Sequence, residues 1–424
     1  MKKNIIKTIA LFFAAAFFLL QQGCVKDTCN KTYTYTYYIP LYKTSQEVRA
    51  NIKSNAPKPI VNSGKIYIKD NYIFLNEVDK GIHVIDNSNP AAPKNVAFID
   101  LPGNVDIAVK GNILYADFYT DLVAMDISNP LNVSVTKFVN NVFPDRYYYG
   151  YHADSTKIIY DWVKKTETVK EDCNTGTAVT YPGGGMLYNA MDAGLSSAQA
   201  NGAPVGISGS LARFALMGDY LYTVSTDDLN VIDLTSPAAP VFSNKASIGN
   251  WHVETIYPFK DKLFIGSNNG MFIYGVQNPS SPNKISTFTH ARACDPVIAD
   301  NNYAYITLRS GSGCLGFDND LEIVDITNLT APVLKMTYPM TNPHGLSKDG
   351  DLLFICDGND GLKIYNAADP NSIALVKRFV LPDANDVIAF NNIALVIAKD
   401  GLYQYDYSNA TGIKLISKIA IQNQ

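Results

Sequence analysis

The chain is poor in the residues that usually announce chemistry. It has five histidines, two tryptophans and six cysteines in 424 residues. It contains no G-x-S-x-G, H-E-x-x-H, C-x-x-C or P-loop motif, so the local signatures of a nucleophile elbow, a zinc protease, a redox dithiol and a phosphate cradle are missing. "GSGCLG" (Gly311 to Gly316) fits G-x-G-x-x-G, but it sits in a β-rich stretch and opens no helix, which excludes a dinucleotide loop. No D-x-D-x-D-G calcium loop is present, and "DGNDG" (Asp357 to Gly361) is only a fragment of one. Charged residues make up 17% of the chain, the net charge is −4, and no basic stripe is visible. Nucleic acid is therefore not expected as a partner. Long helical periodicity is absent after the first 20 residues.

What remains is a β composition. Hydrophobic residues reach 47%, with 27 Tyr and 19 Phe, and 28 Gly and 21 Pro punctuate the chain. One short pattern returns throughout. "VIDNSNPAAP" at Val84 is followed by "AMDISNPLNV" at Ala124, "VIDLTSPAAP" at Val231 and "IYGVQNPSSP" at Ile273. "IVDITNLTAP" at Ile323, "IYNAADPNSI" at Ile364 and "QYDYSNATGI" at Gln404 complete the set. Each tag is an apolar run ending in Asp or a small substitute, followed by a Pro- or Asn-containing turn. Aligned on Asp86, Asp126, Asp233, Gly275, Asp325, Asn366 and Asp406, the spacings are 40, 107, 42, 50, 41 and 40 residues. A period near forty must be read before anything else.

Each unit reads as four short strands. In "VDIAVKGNILYADFYTDLVAMDISNP" a strand (Ile107 to Val109), a Gly-Asn turn, a second strand (Ile113 to Asp117) and the tagged strand (Leu122 to Met125) precede a fourth run, "VSVTKFV". One such meander has two apolar faces and cannot cover both alone. Copies arranged around an axis cover each other, which is the β-propeller. The tag then has a structural role: Asp accepts hydrogen bonds from backbone N–H groups just ahead of it, and Pro ends the strand. The fold expected is all-β, a β-propeller of four-stranded antiparallel blades. Counting inner strands gives eight blades and counting tags gives seven. Eight are preferred here, one of them degenerate and built from "RYYYGYHADSTKIIYDW" (Arg146 to Trp162).

The N-terminus reads as a targeting segment. Lys2, Lys3 and Lys7 precede the apolar run "IALFFAAAFFLL" (Ile9 to Leu20), and Gly23-Cys24 follows. The stretch resembles a bacterial lipoprotein signal peptide, with Cys24 as the acylated first residue of the mature chain. Gln21 and Gln22 depart from the usual lipobox, as in the looser lipoboxes of Bacteroidetes. Loss of residues 1–23 removes three lysines and no acid, taking the balance from −4 to −7. The domains expected are a signal peptide (1–23), a tether and linker (24–60) and the propeller (61–424), with a Gly/Ser-rich insertion at about 174–210.

The tagged strands "VIDLTSP", "EIVDITN" and "HVIDNSNP" look like LVIVD repeats. With the lipobox, "ARACDPV", "TLRSGSGC" and "NPHGL", residues 61 to 420 resemble the LVIVD-repeat surface lipoproteins of Bacteroidetes. The resemblance implies a propeller on the outer membrane, on its periplasmic side or at the cell surface. It implies no reaction, because that family carries no agreed catalytic motif.

Candidate site residues come from the order of strands. The start of the first strand and the loop from second to third strand share one face, and the tags lie on the other. The starts carry Asp106, His252 with Glu254, Asp295, His344 and Asp386, with Lys65 and Arg213 at matching positions. Since innermost strands line the channel, these residues are expected to ring one mouth of it. They could cap backbone N–H groups or bind a ligand, and Ca²⁺ at the mouth is a further option. His290 is the next candidate, while His83 and His152 read as packing or channel-lining residues. Two functions follow. One is a non-enzymatic binding or scaffold protein taking a glycan, peptide or protein. The other is a polysaccharide hydrolase or lyase using Asp and His from several blades. Finally, Cys294 precedes an inner strand and Cys314 lies in the flexible loop after the next one, so a Cys294–Cys314 disulfide is expected.

Overall fold

The computed structural model describes residues 30–144, 146–148, 151–152, 156–172, 207–249, 252–290, 296–311 and 318–422. The chain divides into two units. The smaller comprises residues 1–41 and 161–184, and the larger comprises 42–160 and 185–424. The smaller unit holds most of two long paired strands, Asn30–Thr44 and Lys157–Asp172. Thr34 Oγ1 meets Thr168 Oγ1 at 3.1 Å, and the Tyr35 hydroxyl donates to Glu167 at 3.0 Å. Among the described residues no helix is long and apolar enough to cross a membrane.

The larger unit is a β-propeller of seven blades, each a four-stranded antiparallel meander. Blade 1 comprises strands Ser63–Lys69, Tyr72–Glu77, Gly81–Asp86 and Lys94–Asp100. Blade 2 comprises Ile107–Lys110, Ile113–Phe118, Asp121–Asp126 and Ser134–Val139. Blades 3 to 7 occupy residues 214–247, 253–289, 297–339, 346–379 and 384–420. The count corrects the preference for eight. The stretch read as a degenerate blade gives a two-residue hairpin, Tyr147–Tyr148 with Tyr151–His152, and then the long strand Lys157–Asp172. That strand finds its partner in Asn30–Thr44, far back in the chain, so its β pattern was real and its assignment to a blade was not.

The first hairpin of each blade closes on a tight turn. Gly111 sits there at φ 59° with open space around it, a backbone state that glycine adopts without strain. The tag does what its chemistry dictates. In every blade the pairing of third and fourth strands slips by one residue just ahead of the tag. The tag oxygen then accepts from the N–H two residues on, as in Asp86 to Ser88 (2.9 Å), Asp126 to Ser128 (2.7 Å) and Asp233 to Thr235 (2.7 Å). The next backbone N–H reaches back to the hairpin turn, Asn87 to Asn71 O at 2.7 Å in blade 1 and Tyr407 to Asn392 O at 2.9 Å in blade 7. Blade 4 has Gly275 as its tag, and the Gln277 side chain fills the space and bonds Asp261 at 3.0 Å.

The core lies between blades. Ile66, Ile73, Leu75 and Ile85 of blade 1 pack against Ile388, Leu395, Ile397 and Leu402 of blade 7. Each such side chain contributes roughly 1.5–3 kcal/mol on burial. The same seam is pinned by Asn87 with Gln404 (2.7 and 3.2 Å) and by Gln422 N–H to Ile60 O at 2.8 Å, which closes the ring. On the tag face, the Tyr115 and Tyr222 hydroxyls donate to Pro237 O (2.9 Å) and Pro279 O (2.7 Å) of the next blade.

Blade 1 is widened on both sides. Lys53–Asn55 adds outside, against Phe98 to Asp100, and Ile207–Ser208 adds inside, against Tyr67 and Ile68. The inner addition places chain in the central channel. Ser210 Oγ then accepts from Leu346 N–H of blade 6 at 2.8 Å, and the Arg213 N–H donates to Asp106 of blade 2 at 2.5 Å. Residues 207–212 therefore thread the channel before blade 3 begins.

Candidate functional site

In five of the seven blades, register places a charged residue at the start of the inner strand. Reading round from blade 1 these are Lys65, Asp106, Arg213 and Glu254, and Asp386 precedes Lys65 in blade 7. The charges alternate because neighbouring blades present these side chains to each other. Lys65 Nζ lies 2.7 Å from Asp106 Oδ2, with both side chains buried. Asp106 also accepts from the N–H groups of Arg213 (2.5 Å) and Ile107 (2.8 Å). Burial pushes the Asp106 carboxyl up and the Lys65 amine down, and their mutual attraction opposes both shifts. Arg213 Nε reaches Glu254 O at 3.4 Å; burial and then the Arg146 charge push its guanidinium down, against the pull of the Glu254 and Asp106 charges.

Asp386 is different. It is fully buried, and neither carboxylate oxygen has a hydrogen-bonding partner of good geometry. Gly345 packs on it so closely that an added Cβ would overlap Asp386 Oδ1. Burial drives its carboxyl well above the usual range, against the weaker pull of the Val387 N–H and the Lys65 charge.

His344 is buried on blade 6, where its carbonyl accepts from Thr307 Oγ1 at 2.6 Å and its Nε2 lies 3.0 Å from the Asn342 amide. Burial, and then the Arg309 charge, push its imidazole down to about 3. It is neutral at any physiological pH. His252 is exposed, in a left-handed backbone state at φ 47°. Asp295, Cys294 and Cys314 lie outside the described residues, as does Cys24. Cys356 is a free, buried thiol. His83 packs its ring 4.8 Å from Phe98 and bonds Glu77 at 3.0 Å, while Glu77 also accepts from the Val61 and Asn62 N–H groups.

Sequence reasoning missed the groups that surround the ring. Asp117 Oδ1 accepts from Asn104 Nδ2, Val105 N–H and Asp106 N–H, each at 2.8 Å. Arg146 spans Asp117 (2.9 Å) and Asp79 (3.2 Å). On blade 6, fully buried Asp357 accepts from Asn342 N–H (2.6 Å) and pairs with Lys363 (2.5 Å). The available signal was Asn104 and Asp106 flanking Val105 at a strand start, a spacing suited to backbone capping. Among the described residues, no three His, Cys, Asp or Glu side chains are grouped to hold a metal ion.

A separate open pocket of about 860 Å³ lies at the same end of blade 2, lined by Ser45, Gln46, Arg49, Ala50, Asp121, Asn140 and Asn141. Arg49 projects from the short helix Ser45–Arg49, whose N-terminus is closed by a Thr44/Glu47 capping box. It pairs with Asp121, bonds Asn140 Oδ1 at 2.7 Å and stacks 4.3 Å from the Phe138 ring centre.

Comparison with known families matches the LVIVD repeat at residues 62–99, 103–140, 208–247 and 292–340. Four of the seven blades are LVIVD repeats. These are blades 1, 2, 3 and 5, and the remaining three have the same strand order without the match. Comparison with curated proteins gives no match. Among solved structures, a protein from Lactobacillus plantarum is similar with a TM-score of 0.52 and 10% identity, over 85% of this chain and 97% of that one. The computationally designed Ika8 protein is similar with a TM-score of 0.50 and 8% identity, over 87% and 92%. At these identities the likeness concerns the fold alone.

Proposed function

We propose that the protein is a lipid-anchored β-propeller of the bacterial cell envelope, of the Bacteroidetes LVIVD-lipoprotein type. It acts as a non-enzymatic binding or scaffold protein on the outer membrane, periplasmic or surface-facing. Acylated Cys24 supplies the anchor. The ligand is taken on the face that carries the inner-strand starts, and its class is a glycan, peptide or protein surface.

One observation carries the reading. Among the described residues, three of the groups that a hydrolase or lyase would use are committed within the fold or buried without access to solvent. Asp106 is bonded to Lys65 and to two backbone N–H groups, His344 is buried and neutral, and Asp386 is sealed beneath Gly345. The channel itself is occupied by residues 207–212. General acid–base catalysis requires groups within reach of a substrate. What this face offers to solvent is the exposed His252 and the open pocket beside Arg49, whose surface mixes polar and apolar atoms. Amide, hydroxyl and guanidinium groups around an open pocket suit a hydrogen-bonding ligand such as a glycan. No resident metal forms part of this reading, and a Cys294–Cys314 bridge would hold one loop of the same face.

The test is binding of the Cys24→Ala chain to an immobilised glycan and peptide panel. Saturable binding that Gln46→Ala or His252→Ala weakens tenfold or more supports the reading. Binding unchanged in both variants places the ligand elsewhere and sinks it.

A further inference from the structure

Lys65 stands between two carboxylates of unlike condition. On one side Asp106 holds it at 2.7 Å. On the other lies Asp386, which holds the matching inner-strand position of the adjoining blade 7 and is buried with no side-chain hydrogen bond of good geometry. Asp106 in turn accepts from the Arg213 N–H at 2.5 Å, the residue at which the channel segment ends and blade 3 begins. The same segment is held at its other end by the Ile207–Ser208 pairing with the inner strand of blade 1, which carries Lys65. We propose that Lys65 couples the protonation of Asp386 to the seating of residues 207–213 in the channel.

The coupling follows from competition for one cation. With Asp386 neutral, Lys65 serves Asp106 alone, and Asp106 keeps Arg213 N–H. When Asp386 loses its proton, a buried anion appears with only the Val387 N–H and the Lys65 ammonium to stabilise it. Lys65 is drawn toward it, Asp106 loses its counter-ion, and the end of the channel segment is loosened. Arg213 and Asp117 act on Lys65 from blades 3 and 2, and Cys356 of blade 6 faces Asp386 as a neutral thiol.

The direction with pH is set by the acid. Burial raises the folded-state value of Asp386 above its unfolded value. The protonated form is therefore the one the fold favours. Its contribution is intact at low pH and is lost as pH rises from the ordinary carboxylate range through the raised folded value. The channel segment should loosen with rising pH, opposite to the usual behaviour of a surface carboxylate.

Amide hydrogen exchange on the full chain tests this, read as protection factors so that the intrinsic pH effect is removed. Between about pH 6 and about pH 9.5, protection at residues 207–213 is expected to fall tenfold or more, while the outer strand Lys414–Ala420 keeps its protection. In Asp386→Asn, and in Asp386→Ser should the first variant not fold, the segment's protection is expected to be independent of pH. The proposal is overturned if wild-type protection does not change. It is overturned equally if both regions lose protection together, or if the loss persists in the non-ionisable variants.

Discussion

Replacing Lys65 by Met tests the central ring most sharply, because the two carboxylates beside it are unequal. Lys65 is fully buried and Asp106 is 2% exposed. Removing the amine leaves Asp106 as a buried anion with two backbone N–H groups and no counter-ion. Breaking a buried pair from one side costs about 3–5 kcal/mol. For a body of this length that corresponds to roughly 4–7 °C in Tm. Asp106→Asn should cost much less, about 1 kcal/mol. Its amide oxygen can still accept from Arg213, and Lys65 retains Asp386, which can ionise to meet it. The double variant Lys65→Met with Asp106→Asn should recover most of the loss, giving a coupling of roughly 2–3 kcal/mol. The assay is thermal or urea unfolding of the four proteins at neutral pH. Two results would refute the reasoning: Lys65→Met within 1 kcal/mol of wild type, or Asp106→Asn as damaging as Lys65→Met.

Other perturbations read other links. Asp86, Asp126, Asp233, Asp325 and Asp406 are held below the ordinary carboxylate range by hydrogen bonds from the residue two ahead. Their contribution is present above about pH 4 and is lost as pH falls through the lowered values. Changing all five to Asn, which keeps the acceptor, should flatten the fall of Tm below about pH 4, and an unchanged acid profile would contradict the tag's role. Leu395→Ala, in the seam between blades 7 and 1, should cost about 2–5 kcal/mol in unfolding measurements. Cys24→Ala should move the protein from the membrane to the soluble fraction, and continued membrane retention without an acyl mass would refute the anchor. Thiol labelling after denaturation without reductant should spare Cys294 and Cys314, and label on both would exclude the bridge.

The fold was largely legible because the tag is local chemistry. A carboxylate two residues behind an N–H recurs in five of the seven tags, a proline follows in six, and the slipped register is present in all, so the period shows in one dimension. Even Gly275, which lacks the carboxylate, kept its place because the rest of the unit surrounds it. The blade count failed where pairing was distant. Lys157–Asp172 has the alternation of a strand, but its partner is Asn30–Thr44, and alternation does not name a partner. The positions of Asp106 and Asp386 in their strands were readable from the repeat, yet their opposite conditions were not. Those depend on which residues the neighbouring blades present: Lys65 beside Asp106, and Gly345 against Asp386. The threading of residues 207–212 left no periodic trace at all, since a two-residue pairing inside a Gly-rich stretch has no pattern to show.

The claim that the inner polar groups hold the ring while the exposed groups of the same face bind ligand is tested most directly by measuring binding and turnover side by side. The Cys24→Ala chain would be incubated with a panel of polysaccharides, scoring bound ligand and newly released sugar ends in the same samples. The account predicts saturable binding without product, retained in Asp386→Asn and lost in Gln46→Ala or His252→Ala. Product release by the wild-type chain that Asp386→Asn abolishes would contradict it.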